Sequence, residues 1–293
     1  MKGLDVSAPT TAELTQLTAP NERVEAADGI TYAYRRFGNA ERGAPPALFL
    51  THFRGNLDNW DPALVDAIAR RREVILFDNA GVGGSSGTTP RTFTAMAHDA
   101  LAFVDALGLE TLDLFGYSIG GYVAQEIALI RPRLVRRLVL AGTAPEGGEQ
   151  LHGWPPEIHT MASADEQGAE HLLYLFFERS PESVAKGWEF VERIFARTDD
   201  RDAPVGLRTR DAQLDAYATW GIPDVSKLNR LAGITQPTLV ANGDNDIMVP
   251  TRNSHLLAAR LPNARLLIYP GANHGFLFQY PEEFAAEVNS FLG

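Results

Sequence analysis

The clearest chemical signal in this sequence is the stretch Gly116–Gly120, Gly-Tyr-Ser-Ile-Gly, with Ser118 at its centre. An apolar run rich in strand formers, 112–115, precedes it, and apolar residues recur after it with helical spacing. This pattern predicts a strand, a sharp turn and a helix. The glycines let backbones approach closely, and a helix N-terminus favours developing negative charge. Ser118 is therefore a candidate nucleophile, although bare G-x-S-x-G stretches also occur in ordinary surface turns.

Two later loops carry the partners that a serine nucleophile needs. The loop after a predicted strand ending near Asn242 contains Asp244 and Asp246, and the loop after the next strand contains His274. A serine hydroxyl is a weak nucleophile at neutral pH, so it needs a base within reach, and the base needs a carboxylate to fix its tautomer. Ligands in open α/β sheets bind at the carboxyl ends of the strands. The order Ser, Asp, His therefore predicts a catalytic triad with one of the two aspartates.

Alternating strand and helix patterns predict the frame that would hold these loops. A hairpin with Asp28 and Gly29 at its turn comes first and supplies two antiparallel edge strands. Continuous apolar runs then indicate strands buried in a parallel sheet, and helices connect them. The predicted buried strands are 47–52, 73–78, 112–115, 137–142, 237–242 and 265–269, and the predicted helices are 92–107, 119–130, 250–261 and 281–292.

Composition and the distribution of strand and helix patterns divide the chain into three parts. Residues 1–22 are rich in Thr, Ala and Pro and are expected to form an arm outside the core. Segments 23–143 and 231–293 carry the strand and helix alternation of an α/β core. Between them, 144–230 has helical patterns and many aromatic residues but no buried strand. We therefore expect a helical insertion in the sheet domain.

Composition restricts the classes of partner. The chain has 293 residues, 45% hydrophobic and 22% charged, which suits one large α/β domain with an inserted subdomain. A net charge of −11, without a dense Lys/Arg run, argues against nucleic acid and anionic membranes as partners. The lack of cysteine excludes disulfides, thiolate catalysis and cysteine-bound metals. No apolar run has the length of a membrane span and no signal-peptide pattern is seen, so a cytoplasmic protein is expected.

These motifs resemble those of the α/β-hydrolase superfamily, and among its branches those of the cofactor-free haloperoxidase and esterase group. The similarity runs from about residue 23 to 292, apart from the insertion. It implies an α/β-hydrolase fold in which 144–230 is a helical cap, or lid, and a reaction that uses no cofactor and no metal. The family's Asp-x-x-x-Pro spacing favours Asp246, followed by Pro250, as the triad acid. Asp244 is better suited to hydrogen bonding within its own turn.

The resemblance also suggests how an oxyanion and a substrate would be held. Where the family has His-Gly after the first buried strand, this chain has His52 and Phe53. The backbone N–H groups of Phe53 and Ile119 would bind the oxyanion, because a main-chain donor does not depend on the side chain. The phenylalanine would narrow the site against bulky acyl groups. Further candidates for the substrate pocket are His52, Tyr117, Trp154, Trp220 and Phe276.

The resemblance implies attack by Ser118 on a carbonyl and hydrolysis of the acyl-enzyme by water. Aromatic residues in the predicted lid favour a small apolar ester or lactone, but the same residues would equally serve as the lid's own core. Peracid formation and carbon–carbon bond hydrolysis use the same triad and stay open as alternatives. A small-molecule receptor on this fold is the alternative from another class. The sequence leaves the oligomeric state open, a homodimer included.

Overall fold

A single mixed sheet forms the frame of the protein in the computed structural model, which describes residues 10–39 and 43–293. Its eight strands follow the order β1-β2-β4-β3-β5-β6-β7-β8. The pairs β1–β2 and β2–β4 are antiparallel, whereas the remaining neighbours are parallel. The strands are β1 (Glu22–Glu25), β2 (Thr31–Gly38), β3 (Ala47–Leu50), β4 (Glu73–Phe77), β5 (Leu112–Tyr117), β6 (Val135–Ala141), β7 (Thr238–Gly243) and β8 (Ala264–Tyr269).

Helices connect the strands and cover the sheet. Three short 3-10 segments, Thr11–Glu13, Leu57–Asn59 and Val225–Gly233, complete the regular structure of the described residues. None of the helices described here combines the length and apolar character needed to cross a bilayer. The helices are α1 (Pro62–Ala69), α2 (Phe93–Ala106), α3 (Ile119–Ile130), α4 (Pro156–Ser163), α5 (Ala169–Phe176), α6 (Pro181–Ile194), α7 (Leu207–Trp220), α8 (Arg252–Arg260), α9 (Phe276–Gln279) and α10 (Pro281–Leu292).

The strands and helices predicted from the sequence are present, with ends that differ by up to two residues. The hairpin turns at Asp28 and Gly29, where Gly29 takes the positive φ of 79° that its type of turn requires. Two helices, α1 and α9, were not predicted. Helix α1 has six of its eight residues buried, so it lacks the alternation of buried and exposed positions that reveals a surface helix. The α/β-hydrolase fold class is confirmed.

The central strands carry the core and point their carboxyl ends at one edge of the sheet. All residues of β3, β5 and β7 are buried, as expected for strands covered on both faces. Strand β8 lies at the edge and is only partly buried. Ser118 follows β5, the aspartates follow β7 and His274 follows β8, so the sheet brings three distant segments together.

The insertion, as we name residues 144–230, lies between β6 and β7 in the chain and contains α4 to α7. Arg193 on α6 forms two hydrogen bonds, each 2.7 Å, with the buried carboxylate of Asp61 at the start of α1. Arg230 pairs with Glu126 on α3 and with Glu146. Charged side chains thus attach the insertion to the sheet domain. Its division from the core as a separate lid stays a prediction.

The N-terminal segment differs from the arm predicted outside the core. Gln16 and Ala19 are buried, and Gln16 Nε2 donates to the carbonyl of Leu57 at 2.6 Å. Arg197 of the insertion donates to the carbonyls of Gln16, Leu17 and Ala19. The described part of this segment is therefore fixed to both the sheet domain and the insertion by hydrogen bonds that composition alone does not reveal. The first nine residues of the predicted arm lie outside the described residues.

Candidate active site

Ser118 occupies a strained turn between β5 and α3. Its backbone has φ 55° and ψ −121°, a conformation that non-glycine residues rarely adopt. The turn is held by the Ser118 N–H, which donates to Ala141 O at 2.9 Å, and by the Ser118 carbonyl, which accepts from Thr143 Oγ1 at 2.8 Å. Such strain persists only where surrounding contacts determine the conformation. The sequence-predicted sharp turn is thus present, with the serine at its tip.

The glycines around Ser118 are required by close backbone approach. A Cβ at Gly120 would lie 2.0 Å from the carbonyl oxygen of Leu50 on β3. A Cβ at Gly116 would lie 2.6 Å from the carbonyl oxygen of Gly120. Both distances are far below van der Waals contact. Only glycine allows α3 to begin this close to the sheet.

The predicted nucleophile, base and acid form one continuous chain of hydrogen-bond contacts. His274 Nε2 lies 3.0 Å from Ser118 Oγ, and His274 Nδ1 lies 2.8 Å from Asp246 Oδ2. All three residues are buried, and His274 is fully enclosed. The other carboxylate oxygen of Asp246 accepts from the N–H groups of Met248 and Val249, at 2.8 Å each. Both carboxylate oxygens of Asp246 are therefore held in place, one by backbone N–H groups and the other by His274.

The two candidate aspartates have different partners. Asp244 is exposed, and its Oδ1 accepts from the Ala272 N–H at 3.1 Å and from the side chain of Asn245. It therefore braces the turn in which it lies. Asp246, and not Asp244, faces the ring of His274. The geometry agrees with the preference drawn from the Asp-x-x-x-Pro spacing.

The loop that carries His274 is fixed from several directions. Asn273 Oδ1 accepts from the N–H groups of His274 at 2.8 Å and Ile247 at 2.9 Å, so the acid and base loops share one side chain. The ring of Tyr117 stacks on His274 with centroids 5.1 Å apart, and its hydroxyl donates to His274 O at 3.1 Å. These contacts hold the imidazole in place. They also give Tyr117 a supporting position against the histidine loop, while its predicted place in a substrate pocket stays a prediction.

His52 and Phe53 follow β3, beside the serine. His52 Nδ1 lies 2.9 Å from the Phe53 carbonyl oxygen, and burial lowers the pKa of His52 to about 4, so its ring is neutral at physiological pH. The N–H groups of Phe53 and Ile119 donate no hydrogen bond within the described part of the chain. Ile119 is the first residue of α3, where an N–H has no intrahelical acceptor. Both groups are therefore available as the oxyanion donors that the sequence predicts.

A small, partly open cavity lies next to the serine. Its volume is about 20 Å³, and we name it the nucleophile chamber. Of the five predicted pocket residues, His52 alone belongs to its walls. Apolar side chains dominate those walls. The lining residues are His52, Phe53, Ser118, Gln167, Leu172, Leu175, Phe176, Met248 and His274.

Three of the predicted pocket residues lie elsewhere because they pack against other rings. Trp220 stacks on Tyr122 with centroids 5.2 Å apart. Phe276 is fully buried between Tyr269 and Phe284, below the histidine loop. Trp154 contacts the outer side of Phe53, at 5.6 Å between centroids, and borders a separate open groove. None of these three side chains lines the chamber, and their place in a substrate pocket stays a prediction.

Helix α5 supplies the walls that the sequence did not reveal. Leu172, Leu175 and Phe176 have the i, i+3, i+4 spacing of one helix face, which identifies an apolar face but not its partner. The Phe176 carbonyl accepts from the Gly275 N–H at 2.7 Å. The end of α5 is thus fixed directly to the loop of His274. This long-range contact has no signature in the local sequence.

Comparison with known proteins identifies the family. The model of the alpha/beta hydrolase fold family matches residues 45–281, most of the chain. The chain therefore belongs to this family, and its hydrolase-named relatives place it among the hydrolases.

The relatives are named for different substrates. The poly(3-hydroxyalkanoate) depolymerase of Ectopseudomonas oleovorans is 32% identical over 84% of this chain and 84% of its own length. RutD of Azorhizobium caulinodans, named as a proposed carbamate hydrolase, is 28% identical over 85% of this chain and 91% of its own.

Among solved structures, an alpha/beta hydrolase fold protein from Chitinophaga pinensis superposes with a TM-score of 0.89. It is 39% identical over 95% of this chain and 99% of its own. Est816, described as an N-acyl homoserine lactone degrading enzyme, is 26% identical over 92% of this chain and 100% of its own, with a TM-score of 0.68. The similarity thus spans the insertion as well as the sheet domain.

Proposed function

We propose that this protein is a serine hydrolase that cleaves a carboxylic ester or lactone through an acyl-enzyme. The observation that carries this proposal is the unbroken series of contacts from Ser118 Oγ through His274 to the doubly oriented carboxylate of Asp246. A serine at a strained elbow with a base at 3.0 Å has the arrangement that nucleophilic catalysis requires. The reaction uses no cofactor and no metal.

Each residue of the series has a defined step. Ser118 Oγ attacks the substrate carbonyl while His274 Nε2 takes its proton, and His274 then gives that proton to the leaving alcohol. Asp246 keeps the proton of the neutral ring on Nδ1 and stabilises the imidazolium that forms. The N–H groups of Phe53 and Ile119 bind the oxyanion. Water activated by His274 then releases the acid.

The relatives support a substrate with an acyl–oxygen bond. Polyhydroxyalkanoates are polyesters, a homoserine lactone is a cyclic ester, and a carbamate carries its carbonyl between nitrogen and oxygen. A common triad can attack all of them. The small apolar chamber beside Ser118 favours a short acyl group over a bulky one. We therefore favour a small-molecule ester or lactone, with the insertion acting as a lid over the site.

Turnover of short-chain nitrophenyl esters by Ser118→Ala and His274→Ala tests the proposal. We expect a loss of about 10⁴-fold or more in kcat for each variant, because triad members act as a unit. His255→Ala, which removes an exposed histidine on α8, is the matched control and should keep full activity. Lactones and diketones in the same panel separate ester cleavage from carbon–carbon bond hydrolysis. Wild-type turnover by folded Ser118→Ala would rule out the triad.

A further inference from the structure

A second, larger cavity opens beside the nucleophile chamber. Its volume is about 430 Å³, and we name it the vestibule. It shares Gln167 and Leu172 with the chamber, so the two spaces meet at the beginning of the insertion's helix α5. The residues that line it are Arg54, Asn56, Asn59, Asp165, Glu166, Gln167, Leu172, Phe195, Arg201, Asp202, Pro204 and Val205.

The difference in size fixes how much of a substrate can lie beside Ser118. A space of about 20 Å³ is close to what one water molecule needs. Leu175, Phe176 and Met248 close it with apolar groups. The chamber thus accepts a methyl or ethyl group next to the scissile carbonyl. A larger group has to extend out of the chamber. The vestibule shares two wall residues with the chamber, Gln167 and Leu172, whereas the open groove beside Trp154 shares only Met248, so we place the rest of the substrate in the vestibule.

The order of the chemical steps determines which side of the ester extends outwards. The alcohol must leave before water can attack the acyl-enzyme, while the acyl group stays bound to Ser118 Oγ. An alcohol held in the narrow chamber would have to leave past that acyl group, whereas an alcohol in the wider vestibule can leave without passing it. The alcohol therefore lies in the vestibule, and the acyl group lies in the chamber.

Two arginine side chains, Arg54 and Arg201, supply the positive charge of the vestibule wall. Arg54 is 7% exposed, and its guanidinium donates to the carbonyls of Ala164, Asp165 and Val205. Arg201 donates to the carbonyl of Ile194. Among the described residues, neither guanidinium has a carboxylate within ion-pairing distance. Both retain N–H groups for a ligand after these carbonyl contacts.

Carboxyl and amide groups complete the wall. Glu166 and Asp202 supply acceptors, and Asp202 Oδ2 is buried without a hydrogen-bond partner among the described residues. Asp165 pairs with Arg210, and the amide groups of Asn56 and Gln167 donate to the carbonyls of Ala203 and Ala162. Such a wall would repel neither sign strongly, but an aliphatic chain would leave the remaining N–H groups of Arg54 and Arg201 and the buried oxygen of Asp202 without partners. A ligand with several hydroxyl groups satisfies donors and acceptors at once.

We propose that the natural substrate is a short-chain acyl ester of a neutral polyol, with the acyl group in the nucleophile chamber and the polyol in the vestibule. This inference rests on the proposed serine hydrolase function and adds the substrate class. It departs from the wholly apolar ester expected from the sequence. In this assignment only the acyl group of the ester contacts an apolar wall.

Hydrolysis of four acetates tests the assignment: glycerol monoacetate, butyl acetate, acetoxyacetate as an anion and acetylcholine as a cation. Acid release can be followed by pH-stat for all four. We expect kcat/KM for glycerol monoacetate to exceed that for butyl acetate about tenfold or more, which corresponds to one or two satisfied hydrogen bonds. Gln167→Leu and Arg201→Met should each reduce this ratio several-fold. Arg252→Met, an exposed arginine outside the vestibule, should leave the ratio unchanged.

The outcomes separate the two proposals. If Ser118→Ala abolishes all hydrolysis but butyl acetate or a charged acetate is the best substrate, the polyol assignment is wrong and the serine hydrolase stands. If both vestibule variants fold and keep the wild-type ratio, the alcohol does not lie in the vestibule. If acetates are hydrolysed equally by wild type and Ser118→Ala, the proposed function itself fails.

Discussion

The triad loops and the insertion are held in place by different kinds of contact. Around Ser118, Asp246 and His274, buried side chains and main-chain groups form short hydrogen bonds that leave little freedom. The insertion instead uses charged side chains, such as Arg193 on Asp61, and leaves large apolar side chains such as Phe195 half exposed. The comparison indicates that geometry for chemistry is fixed by the sheet domain. The insertion adds side chains from 165–176 and 195–205 to the walls of the two cavities, beside residues of the sheet domain such as Phe53 and Arg54.

The largest effect is expected from a substitution that removes the charge of Asp246 and keeps the shape of its side chain. In Asp246→Asn, Oδ1 can still accept from Met248 and Val249, but the amide nitrogen faces His274 Nδ1. The ring must then place its proton on Nε2 and cannot act as base toward Ser118. We expect a loss of about 10⁴-fold in kcat at nearly unchanged melting temperature.

Asp244→Asn is the matched control for that variant. Its Oδ1 still accepts from the Ala272 N–H, and it does not touch His274. Turnover should stay within a few-fold of wild type. If Asp244→Asn lost activity and Asp246→Asn kept it, the acid would have to be reassigned.

The next largest effect is expected where the insertion meets the sheet domain. Arg193→Met leaves the fully buried Asp61 without its cation, although it still accepts from the Ala63 N–H. Removing one partner of a buried ion pair costs about 3–5 kcal/mol, and here the arginine's partial exposure points to the lower end. Burial, the largest influence, already raises the pKa of Asp61 despite the arginine, so the carboxyl should take up a proton in the variant. Urea unfolding measures the loss.

A double-mutant cycle provides the control. Asp61→Asn removes the charge that Arg193→Met would leave unpaired, so the double variant should regain part of the stability lost by Arg193→Met. Additive losses would show that the two side chains do not interact. Catalytic turnover of the folded fraction should change less than stability, because neither residue reaches the triad.

How well the sequence predicted each part follows from the range of the interactions involved. The elbow at Ser118 is a local pattern, so its strand, turn and helix were all predictable. The choice of Asp246 over Asp244 needed the family spacing, since both lie in one loop. Tyr117 and Phe276 stand close in sequence to Ser118 and His274, but sequence proximity does not tell which way a buried ring packs. The walls from α5 depend on docking across about a hundred residues of chain.

A smaller, selective effect is expected at Phe53. Its side chain lines the nucleophile chamber, whereas its main-chain N–H is the proposed oxyanion donor. Phe53→Ala should therefore enlarge the space for acyl groups and retain the donor. We expect the kcat/KM ratio of butyrate to acetate esters to rise about tenfold, since two buried methylenes are worth roughly 1.6 kcal/mol.

Trp220→Ala is the comparison for Phe53→Ala. Because Trp220 packs on Tyr122 and does not reach the chamber, its truncation should slow all esters by a common factor and lower stability. An altered ranking of acyl chains in this variant would place Trp220 in the substrate pocket. An unaltered ranking in Phe53→Ala would exclude the chamber as the acyl site.

The smallest effect concerns a pair of carboxyl groups where the two regions touch. Asp78 follows β4 and accepts from the N–H groups of Leu57 at 3.0 Å and Gly84 at 2.9 Å. Asp202 belongs to the insertion, and its N–H donates to Asp58 at 2.7 Å. Burial and the neighbouring Asp202 raise the pKa of Asp78 well above its usual range, and burial and Asp58 raise that of Asp202. The folded protein thus holds protons here that the unfolded chain releases near pH 4.

The sign of the pH dependence follows from this difference in bound protons. Between about pH 4 and the raised pKa values the folded state binds more protons than the unfolded state, so stability falls as pH rises through that window. Asp202→Asn removes one charge and offers Asp78 an amide donor. We expect it to raise the melting temperature by about 2 °C at pH 8, the shift that roughly 1 kcal/mol produces in a large domain, and by less at pH 5. Asp200→Asn changes an exposed neighbour and should show the same dependence of melting temperature on pH as the wild type. If the curves of melting temperature against pH for Asp202→Asn and wild type are parallel, the two regions do not share a proton.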